Sequence, residues 1–223
     1  LTADTDFPMS QHQNAWGVND DITFDHLYQM LKDRRDSPWH TAFLTLSSHE
    51  PFEVPYHRLK EKQPNAFAFT DHCLGEFVER IRKTPVWNNL LIVCLPDHGF
   101  YYPAEGNGHD ARIHHIPMLW LGGAVKQPMV INQVMNQSDL AATLLAQLGI
   151  DHSEFNFSRN ILSTAYTYPF AYWTFGGGFA FADSTGVTLV DINADRPMLE
   201  IPSPDENRIL RGKAILQSSY DDL

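Results

Sequence analysis

Asp97 and His98 are the neighbouring pair whose types and position could carry chemistry. They follow a short apolar segment, Asn89 to Val93, that is typical of a buried strand, and a flexible glycine, Gly99, comes next. In open α/β sheets ligands bind beyond the carboxyl ends of strands, and a carboxylate beside an imidazole suits Zn or Mn. The pair is therefore a candidate metal site. A turn in which Asp97 caps the next segment is the alternative.

A second imidazole, His49, follows a second apolar segment. The segment Ala42 to Leu46 predicts a short strand that leads into the sequence SSHEPF. Because Pro51 restricts Glu50 to an extended conformation, we expect His49 to lie at a bend rather than in a helix. A histidine placed there could donate a proton or bind substrate in a pocket. A turn histidine bonded to a backbone carbonyl is the favoured alternative when His49 is considered alone.

Two further histidines, His114 and His115, stand immediately before the apolar run Ile116 to Leu121, which predicts another strand. A metal role for either histidine stays open beside the favoured interpretation, a hydrogen bond at the entry to the strand. Residues 101–113, which precede this strand, contain glycines and one proline. Their composition predicts an exposed and mobile loop.

Helices are predicted between these strands from apolar residues at helical spacing. The first begins near Asp20, where Asp20, Asp21 or Thr23 could cap it, and ends near Arg35. The others are predicted over Ala66 to Lys83 and from Ser138 to Leu148. The resulting order is helix, strand, helix, strand, strand, helix. This order predicts an α/β fold whose mainly parallel sheet is flanked by helices, because strands separated by helices pair in parallel.

The C-terminal third differs in character. Residues 164–192 are rich in aromatic and β-branched side chains, and Phe179 to Asp191 predicts an antiparallel hairpin. A final amphipathic helix is predicted over about Glu206 to Tyr220. We therefore predict two parts. Residues 1–160 carry the main α/β domain, and residues 161–223 form a small antiparallel sheet with a closing helix.

The composition of the 223 residues indicates which classes of partner are compatible with the chain. Hydrophobic residues make up 43% of the chain and its formal net charge is -11, which predicts a folded domain and argues against a nucleic-acid partner. An anionic substrate remains compatible, because one metal ion reverses the local field. The two cysteines, Cys73 and Cys94, are predicted to be small buried hydrophobes, with a disulfide left open.

The start of the sequence is typical of a piece of a longer protein. The chain opens with LTADTDFPMS, without an initiator methionine or a recognisable signal peptide. No apolar run approaches the roughly 18 residues that a membrane span needs. We therefore expect this chain to be a piece of a larger protein, with any membrane segment or signal upstream.

Five segments in order resemble the C-terminal half of lipoteichoic acid synthase-like proteins. These are phosphoglycerol transferases of the alkaline phosphatase and sulfatase superfamily. The resemblance runs from about Trp16 to Leu223, and although each motif alone is weak, their shared order is specific. The segments are WGVNDDITFDHLYQML, FLTLSSHEPFEVP, FTDHCLGEFVERIRKTPVWNNLLIVCLPDHG, HHIPMLWLGG and NQSDLAATLLAQLGI.

The resemblance implies roles for particular residues. In the family the Asp-His pair of the DHG motif binds a divalent metal, usually Mn or Zn, with Mg as a further option; that role falls on Asp97 and His98. The histidine of the SNH-x-PF motif contacts the substrate phosphate or assists the leaving group, and here that motif reads Ser48-His49-Glu50-Pro51-Phe52. The resemblance thus implies that His49 is catalytic and that His49 and Ser48 bind substrate.

The same resemblance implies that part of the site lies elsewhere. The family's nucleophile is a threonine upstream, accompanied by an acidic metal ligand and a phosphate-binding arginine, and none of these falls in this chain. We therefore expect no nucleophile here and predict that the chain alone is inactive. Its main partner would be the N-terminal half of the same protein. The implied substrate is a phosphoryl ester, with lipid linkage left open, and the implied location is the outer face of the cytoplasmic membrane or the periplasm.

Two alternatives remain open. A sulfatase acting on sulfuryl esters would share the fold and the metal site, and Cys94-Leu95-Pro96 imitates the start of the sulfatase pattern C-x-P-x-R. The arginine of that pattern is absent, since His98 stands at its position. A non-catalytic module that binds glycans or lipid headgroups is the alternative from another class, and the intact Asp97, His98 and His49 count against it.

Overall fold

The computed structural model of this chain describes residues 1–14, 16–102 and 109–222. The chain divides into two compact units, one of residues 1–95 and 118–128 and the other of residues 96–117 and 129–223. The glycine-rich part of the predicted 101–113 loop, residues 103–108, lies outside the described residues, as does Leu223. The predicted division of the chain at residue 160, into a main domain and a C-terminal part, stays a prediction.

The first unit contains two helices and two pairs of short strands. Strands β1 (His12–Asn14) and β2 (Gly17–Val18) precede helix α1 (Asp20–Leu31), helix α2 (Lys62–Ile81) follows, and β3 (Ile92–Cys94) pairs with β4 (Leu119–Leu121). The helices pack through one hydrophobic core, as their apolar periodicity predicts. Its buried members are Phe24, Leu27, Leu31, Phe69, Cys73, Phe77, Ile81 and Leu90.

The pairing of β3 with β4 is antiparallel, with Val93 opposite Trp120. The mainly parallel pairing that the sequence predicts is not found in this pair. A parallel pair needs a crossover connection, usually a helix, whereas the described part of the connection between β3 and β4 contains only a 3₁₀ turn, Ala111–His114. All strand pairs in the described residues are antiparallel, so none of them supports the mainly parallel sheet that the sequence predicts.

The predicted strand Ala42 to Leu46 is also not a strand. The segment has no ladder partner among residues 1–14, 16–102 and 109–222, and Leu44 is 89% exposed. A strand exists only when another strand satisfies its backbone groups. Apolar composition alone therefore could not make this segment a strand.

The second unit contains helix α3 (Asp139–Gln147), four strands and helix α4 (Glu206–Asp221). The strands β5 (Phe170–Phe175), β6 (Gly178–Asp183), β7 (Gly186–Asp191) and β8 (Arg196–Ile201) form one antiparallel sheet in sequence order. The predicted hairpin corresponds to β6 and β7, and the predicted closing helix corresponds to α4.

A buried arginine fastens α4 to this sheet. The side chain of Arg208 is 2% exposed and donates to the hydroxyls of Thr188 and Thr185, each at 2.8 Å, and to the carbonyl of Ser203 at 2.6 Å. A buried guanidinium stabilises a fold only when its donors are satisfied. These bonds therefore fix the register of α4 on β7.

An ion pair between Asp139 and Arg159 connects α3 to the start of β5, where Arg159 also donates to the carbonyl of Phe170 at 2.9 Å. The carboxylate of Asp139 is fully buried and accepts from the backbone and the guanidinium of Arg159, whose central carbon lies 3.6 Å from the ring centroid of Phe170. The sequence predicts Ser138 or Asp139 as the cap of this helix. The position of Asp139 at the start of α3 is as predicted, but its main partner is the arginine.

Candidate active site

Asp97 and His98 lie in the second unit, at the surface. Their side chains are 86% and 71% exposed, and Asp97 Oδ1 accepts a hydrogen bond from the backbone N–H of His98 at 3.0 Å. The ring atom His98 Nδ1 lies 2.7 Å from the carbonyl oxygen of Gly99. Because a carbonyl can only accept, Nδ1 carries a proton, and in the neutral ring Nε2 then presents its lone pair.

This arrangement fits a divalent metal ion. His98 Nε2 and Asp97 Oδ1 lie 3.8 Å apart, and two ligand bonds of about 2.0–2.2 Å to one ion can span that separation. The Nδ1–H donated to a backbone carbonyl is the outer-shell hydrogen bond that commonly orients metal-binding histidines. The described residues contain no cluster of three or more His, Cys, Asp or Glu side chains that could hold an ion. The pair is therefore at most part of a coordination shell.

Gly99 is needed for close packing. A Cβ atom built on Gly99 would lie 1.5 Å from the carbonyl oxygen of Ile113 and 3.5 Å from the nitrogen of His114. The sequence indicates a flexible glycine, and the structure adds a packing reason for glycine at this position. The backbone beside the motif approaches residue 113 so closely that no side chain fits.

Gln137, which lies two residues before α3, supports the motif. Its side-chain amide donates to the carbonyl oxygens of Pro96 and Asp97 at 2.7 and 3.1 Å. The sequence gives no sign of this contact, because no local pattern links positions about 40 residues apart. The contact holds the backbone of Asp97 while leaving its carboxylate exposed.

His114 and His115 remain apart from any metal cluster in the described residues. The imidazole of His114 stacks on the indole of Trp173 with centroids 4.5 Å apart, and His109 meets Phe175 edge-on at 4.8 Å. Trp173 and Phe175 share one side of β5, because alternate residues of a strand face the same way. An aromatic strand thus packs against the segment that follows the DHG motif, a contact that the sequence analysis did not predict.

His49 lies in the first unit, at a turn, as the sequence predicts. Its N–H donates to Leu46 O at 2.9 Å and its own carbonyl accepts from Phe52 N at 2.9 Å. The ring atom His49 Nδ1 lies 2.9 Å from the carbonyl of Glu50, so Nδ1 carries a proton that it donates to that carbonyl, and Nε2 is the ring nitrogen left to exchange a proton. The indole of Trp16 packs beside the imidazole with centroids 4.9 Å apart.

Ser48 stands in the same turn and is half-buried. The candidate residues thus fall into two groups, Ser48 and His49 in one unit and Asp97 and His98 in the other. Each group has its imidazole oriented in the same manner, with Nδ1 bonded to the carbonyl of the following residue. The local geometry of each group suits a histidine that acts through Nε2.

Comparison with known proteins defines the class. The sequence model of the Sulfatase family matches residues 2–150, and the chain therefore belongs to that family. A crystal structure of a protein in the alkaline phosphatase superfamily from Vibrio parahaemolyticus superposes with a TM-score of 0.76 at 21% identity, over 94% of this chain and 56% of that one. This likeness shows the fold.

Among curated proteins, the chain is similar to phosphoglycerol transferases and lipoteichoic acid synthases. Phosphoglycerol transferase I of Xanthomonas campestris pv. campestris (strain B100) is 25% identical over 165 residues, covering 69% of this chain and 24% of that protein. Lipoteichoic acid synthase-like YvgJ of Bacillus subtilis (strain 168) is 22% identical, over 89% of this chain and 38% of its own length. Lipoteichoic acid synthase of Staphylococcus saprophyticus is 25% identical, with shares of 84% and 33%.

The resemblance found in the motifs is thus confirmed at the level of the superfamily and its phosphoglycerol transferase relatives. The chain spans between about a quarter and two fifths of the length of these relatives. None of the helices in the described ranges combines the length and apolar character needed to cross a membrane.

Proposed function

We propose that this chain is part of a metal-dependent phosphoglycerol transferase or related phosphodiesterase that acts on glycerophosphate-type or other phosphoryl esters. The observation that carries the proposal is the pair formed by Asp97 Oδ1 and His98 Nε2, 3.8 Å apart and exposed at the surface. Two donors of these types, with the imidazole oriented by Gly99 O, suit Mn or Zn, with Mg as a further option. A bound ion would supply electrophilic stabilisation of charge on the phosphoryl oxygens.

The remaining chemistry falls to side chains. His49 in its doubly protonated form donates the Nε2 proton to the oxygen that departs from phosphorus and becomes a neutral ring with its proton on Nδ1, because imidazole exchanges protons readily near neutral pH. Ser48 and His49 contact the phosphoryl group. The nucleophile is a threonine from the part of the protein outside this chain, so this chain alone has no turnover. The proposed location is the outer face of the cytoplasmic membrane or the periplasm, with a lipid-linked ester as substrate.

The test uses the full-length protein that contains this chain. We expect His98→Ala and Asp97→Ala to abolish Mn- or Zn-dependent cleavage of a glycerophosphodiester and to lower the bound metal. His57→Ala, a change at an exposed loop histidine, is the matched control and should turn over at the wild-type rate. Equal rates in wild type and His98→Ala would contradict the site assignment.

The same assay separates the alternatives. Sulfate-ester cleavage without phosphodiester cleavage would favour a sulfatase, which shares this family. Binding of glycans or glycerophosphate headgroups without turnover of either ester would favour a non-catalytic module. Metal-dependent phosphodiester cleavage supports the proposal over both.

A further inference from the structure

Asp20 is a buried carboxylate that faces away from its own helix. It is the first residue of α1, follows the N-cap residue Asn19, and is fully buried. The sequence predicts that Asp20, Asp21 or Thr23 caps the helix, but the Asp20 carboxylate instead reaches the segment before His49. Its Oδ1 accepts from the backbone N–H groups of Leu46 and Ser47 at 2.8 and 3.2 Å.

The second carboxylate oxygen is held by α2. Thr70 donates its hydroxyl to Asp20 Oδ2 at 2.6 Å. The Asp20 carboxylate therefore joins α1, α2 and the segment before His49 through three hydrogen bonds. A buried charge with three donors aimed at it is strongly oriented, because rotating it would leave those donors unsatisfied.

Ser47 returns the contact. Ser47 is 2% exposed. Its hydroxyl accepts a hydrogen bond from the backbone N–H of Asp20 at 2.9 Å and donates one to Asn19 Oδ1 at 3.4 Å. The start of α1 and the segment of Ser47 thus exchange hydrogen bonds in both directions. This reciprocal clamp fixes the backbone two residues before His49.

Backbone hydrogen bonds connect this clamp to the His49 turn. His49 N–H donates to the carbonyl of Leu46, whose own N–H is bonded to Asp20. His49 Nδ1 is then bonded to Glu50 O, and the Trp16 ring lies beside the imidazole. The orientation of Nε2 therefore depends on a carboxylate that does not touch the imidazole.

We propose that Asp20 is a positioning residue, which holds the 46–49 turn so that His49 Nε2 is presented to the departing oxygen of the substrate. This inference rests on the proposed function, in which His49 acts as the proton donor. Asp20 contacts no reacting atom in this scheme. A misplacement of about 1 Å can cost on the order of 100-fold in rate, so losing the clamp should lower kcat more than it changes KM.

Substrates with different leaving groups distinguish a positioning role of Asp20 from a purely structural one. A phosphodiester with an alkyl leaving group needs its departing oxygen protonated, whereas a 4-nitrophenyl ester releases a stable phenolate and needs little help. In the full-length protein we expect Asp20→Ala to lower kcat for the alkyl ester by about 10- to 100-fold. The loss for the 4-nitrophenyl ester should be several-fold smaller. General misfolding would reduce both rates equally.

Two variants control for folding. In Asp20→Asn the amide oxygen can still accept from Leu46 and Ser47, and the Thr70 hydroxyl can accept from the new NH₂, so this variant should recover most of the alkyl-ester rate. Asp21→Ala changes the exposed neighbour on the same helix and should leave both rates unchanged. Equal losses for the two esters in Asp20→Ala, or no rescue by Asp20→Asn, would overturn the inference.

His49→Ala separates this inference from the proposed function. If His49→Ala shows the selective alkyl-ester loss and Asp20→Ala does not, the positioning role fails while the function stands. If His49→Ala lowers both esters equally, the proton-donor role itself fails and the inference with it.

A magnetic resonance measurement on this chain needs no turnover. At a pH where the ring is neutral, the ¹⁵N signals of His49, assigned with His49→Gln, should report one tautomer with the proton on Nδ1 in the wild type and in Asp20→Asn. In Asp20→Ala they should shift towards a mixture of tautomers. An unchanged His49 spectrum in a folded Asp20→Ala chain would overturn the inference independently of any assay.

Discussion

Gly99 lies so close to Ile113 that a Cβ on Gly99 would stand 1.5 Å from the Ile113 carbonyl oxygen. The clashing atoms belong to the backbone, which cannot move away by a rotamer change as a flexible side chain can. The candidate metal pair is therefore packed directly against the chain that leads to His114. Its exposed donors are carried by a tightly constrained backbone.

Gly99→Ala should consequently damage both stability and metal binding. We expect the free energy of unfolding to fall by roughly 1–3 kcal/mol, the usual cost of overpacking. Affinity for Mn or Zn should drop about 10-fold or more, because the change displaces the carbonyl that orients His98. Thermal unfolding and calorimetric titration of the metals measure these effects. Gly176→Ala, where nothing lies within 4 Å of the added atom, is the control. Wild-type stability and affinity in Gly99→Ala would refute this packing.

His49→Ala should separate proton transfer from metal binding. His49 and the pair Asp97 and His98 belong to different units, and we assign them different roles. In the full-length protein the variant should lose about 10²- to 10⁴-fold in turnover, the usual contribution of general acid–base catalysis. Its metal content, measured by elemental analysis, should equal that of the wild type. Loss of metal from His49→Ala would show that His49 is a ligand instead.

Two helical glycines should respond oppositely to alanine. A Cβ on Gly212 of α4 would stand 2.1 Å from the ring of the fully buried Phe179, whereas nothing lies within 4 Å of a Cβ on Gly75 of α2. Gly212→Ala should therefore cost about 1–3 kcal/mol by overpacking. Gly75→Ala should gain roughly 0.5–1 kcal/mol through helix propensity. Denaturant unfolding measures the free energy of unfolding of both variants. Stabilisation by Gly212→Ala would contradict the packing of α4 on β6.

The two cysteines are free, and their thiols should be unreactive in the folded chain. Burial, together with nearby carboxylates led by Asp20, raises the pKa of Cys73 to about 12, and burial raises the pKa of Cys94. Because only the thiolate is nucleophilic, a disulfide-exchange reagent at pH 8 should modify neither thiol at the rate of an unfolded control. Prompt modification of Cys73 without unfolding would contradict this burial.

The same shift gives a pH dependence of stability. A pKa raised on folding favours the protonated thiol, so its stabilising contribution is complete below the ordinary value of 9.0 and is lost as the pH rises towards about 12. The free energy of unfolding should therefore fall above pH 9. This alkaline decline should be shallower in Cys73→Ala, as measured by denaturant unfolding at each pH. An equally steep decline in that variant would show that another group is responsible.

The sequence by itself determined the elements that depend on near neighbours. Helices α1, α2 and α4 and the hairpin of β6 and β7 were predictable, because their apolar spacing and turn residues lie within a few positions of each other. The His49 bend was predictable for the same reason, since a proline two residues later restricts the backbone. The order of five short motifs was enough to indicate the superfamily.

The tertiary structure decided everything that depends on distant partners. Only the fold made β3 and β4 antiparallel, left Ala42 to Leu46 without a strand partner in the described residues, and showed that Gly99 serves close packing. It also brought Asp20 to Ser47 and Thr70, and Trp173 to His114. A local pattern shows that a residue is polar, apolar or small. It does not specify which distant group satisfies that residue, because that choice is made by the packing of the whole unit.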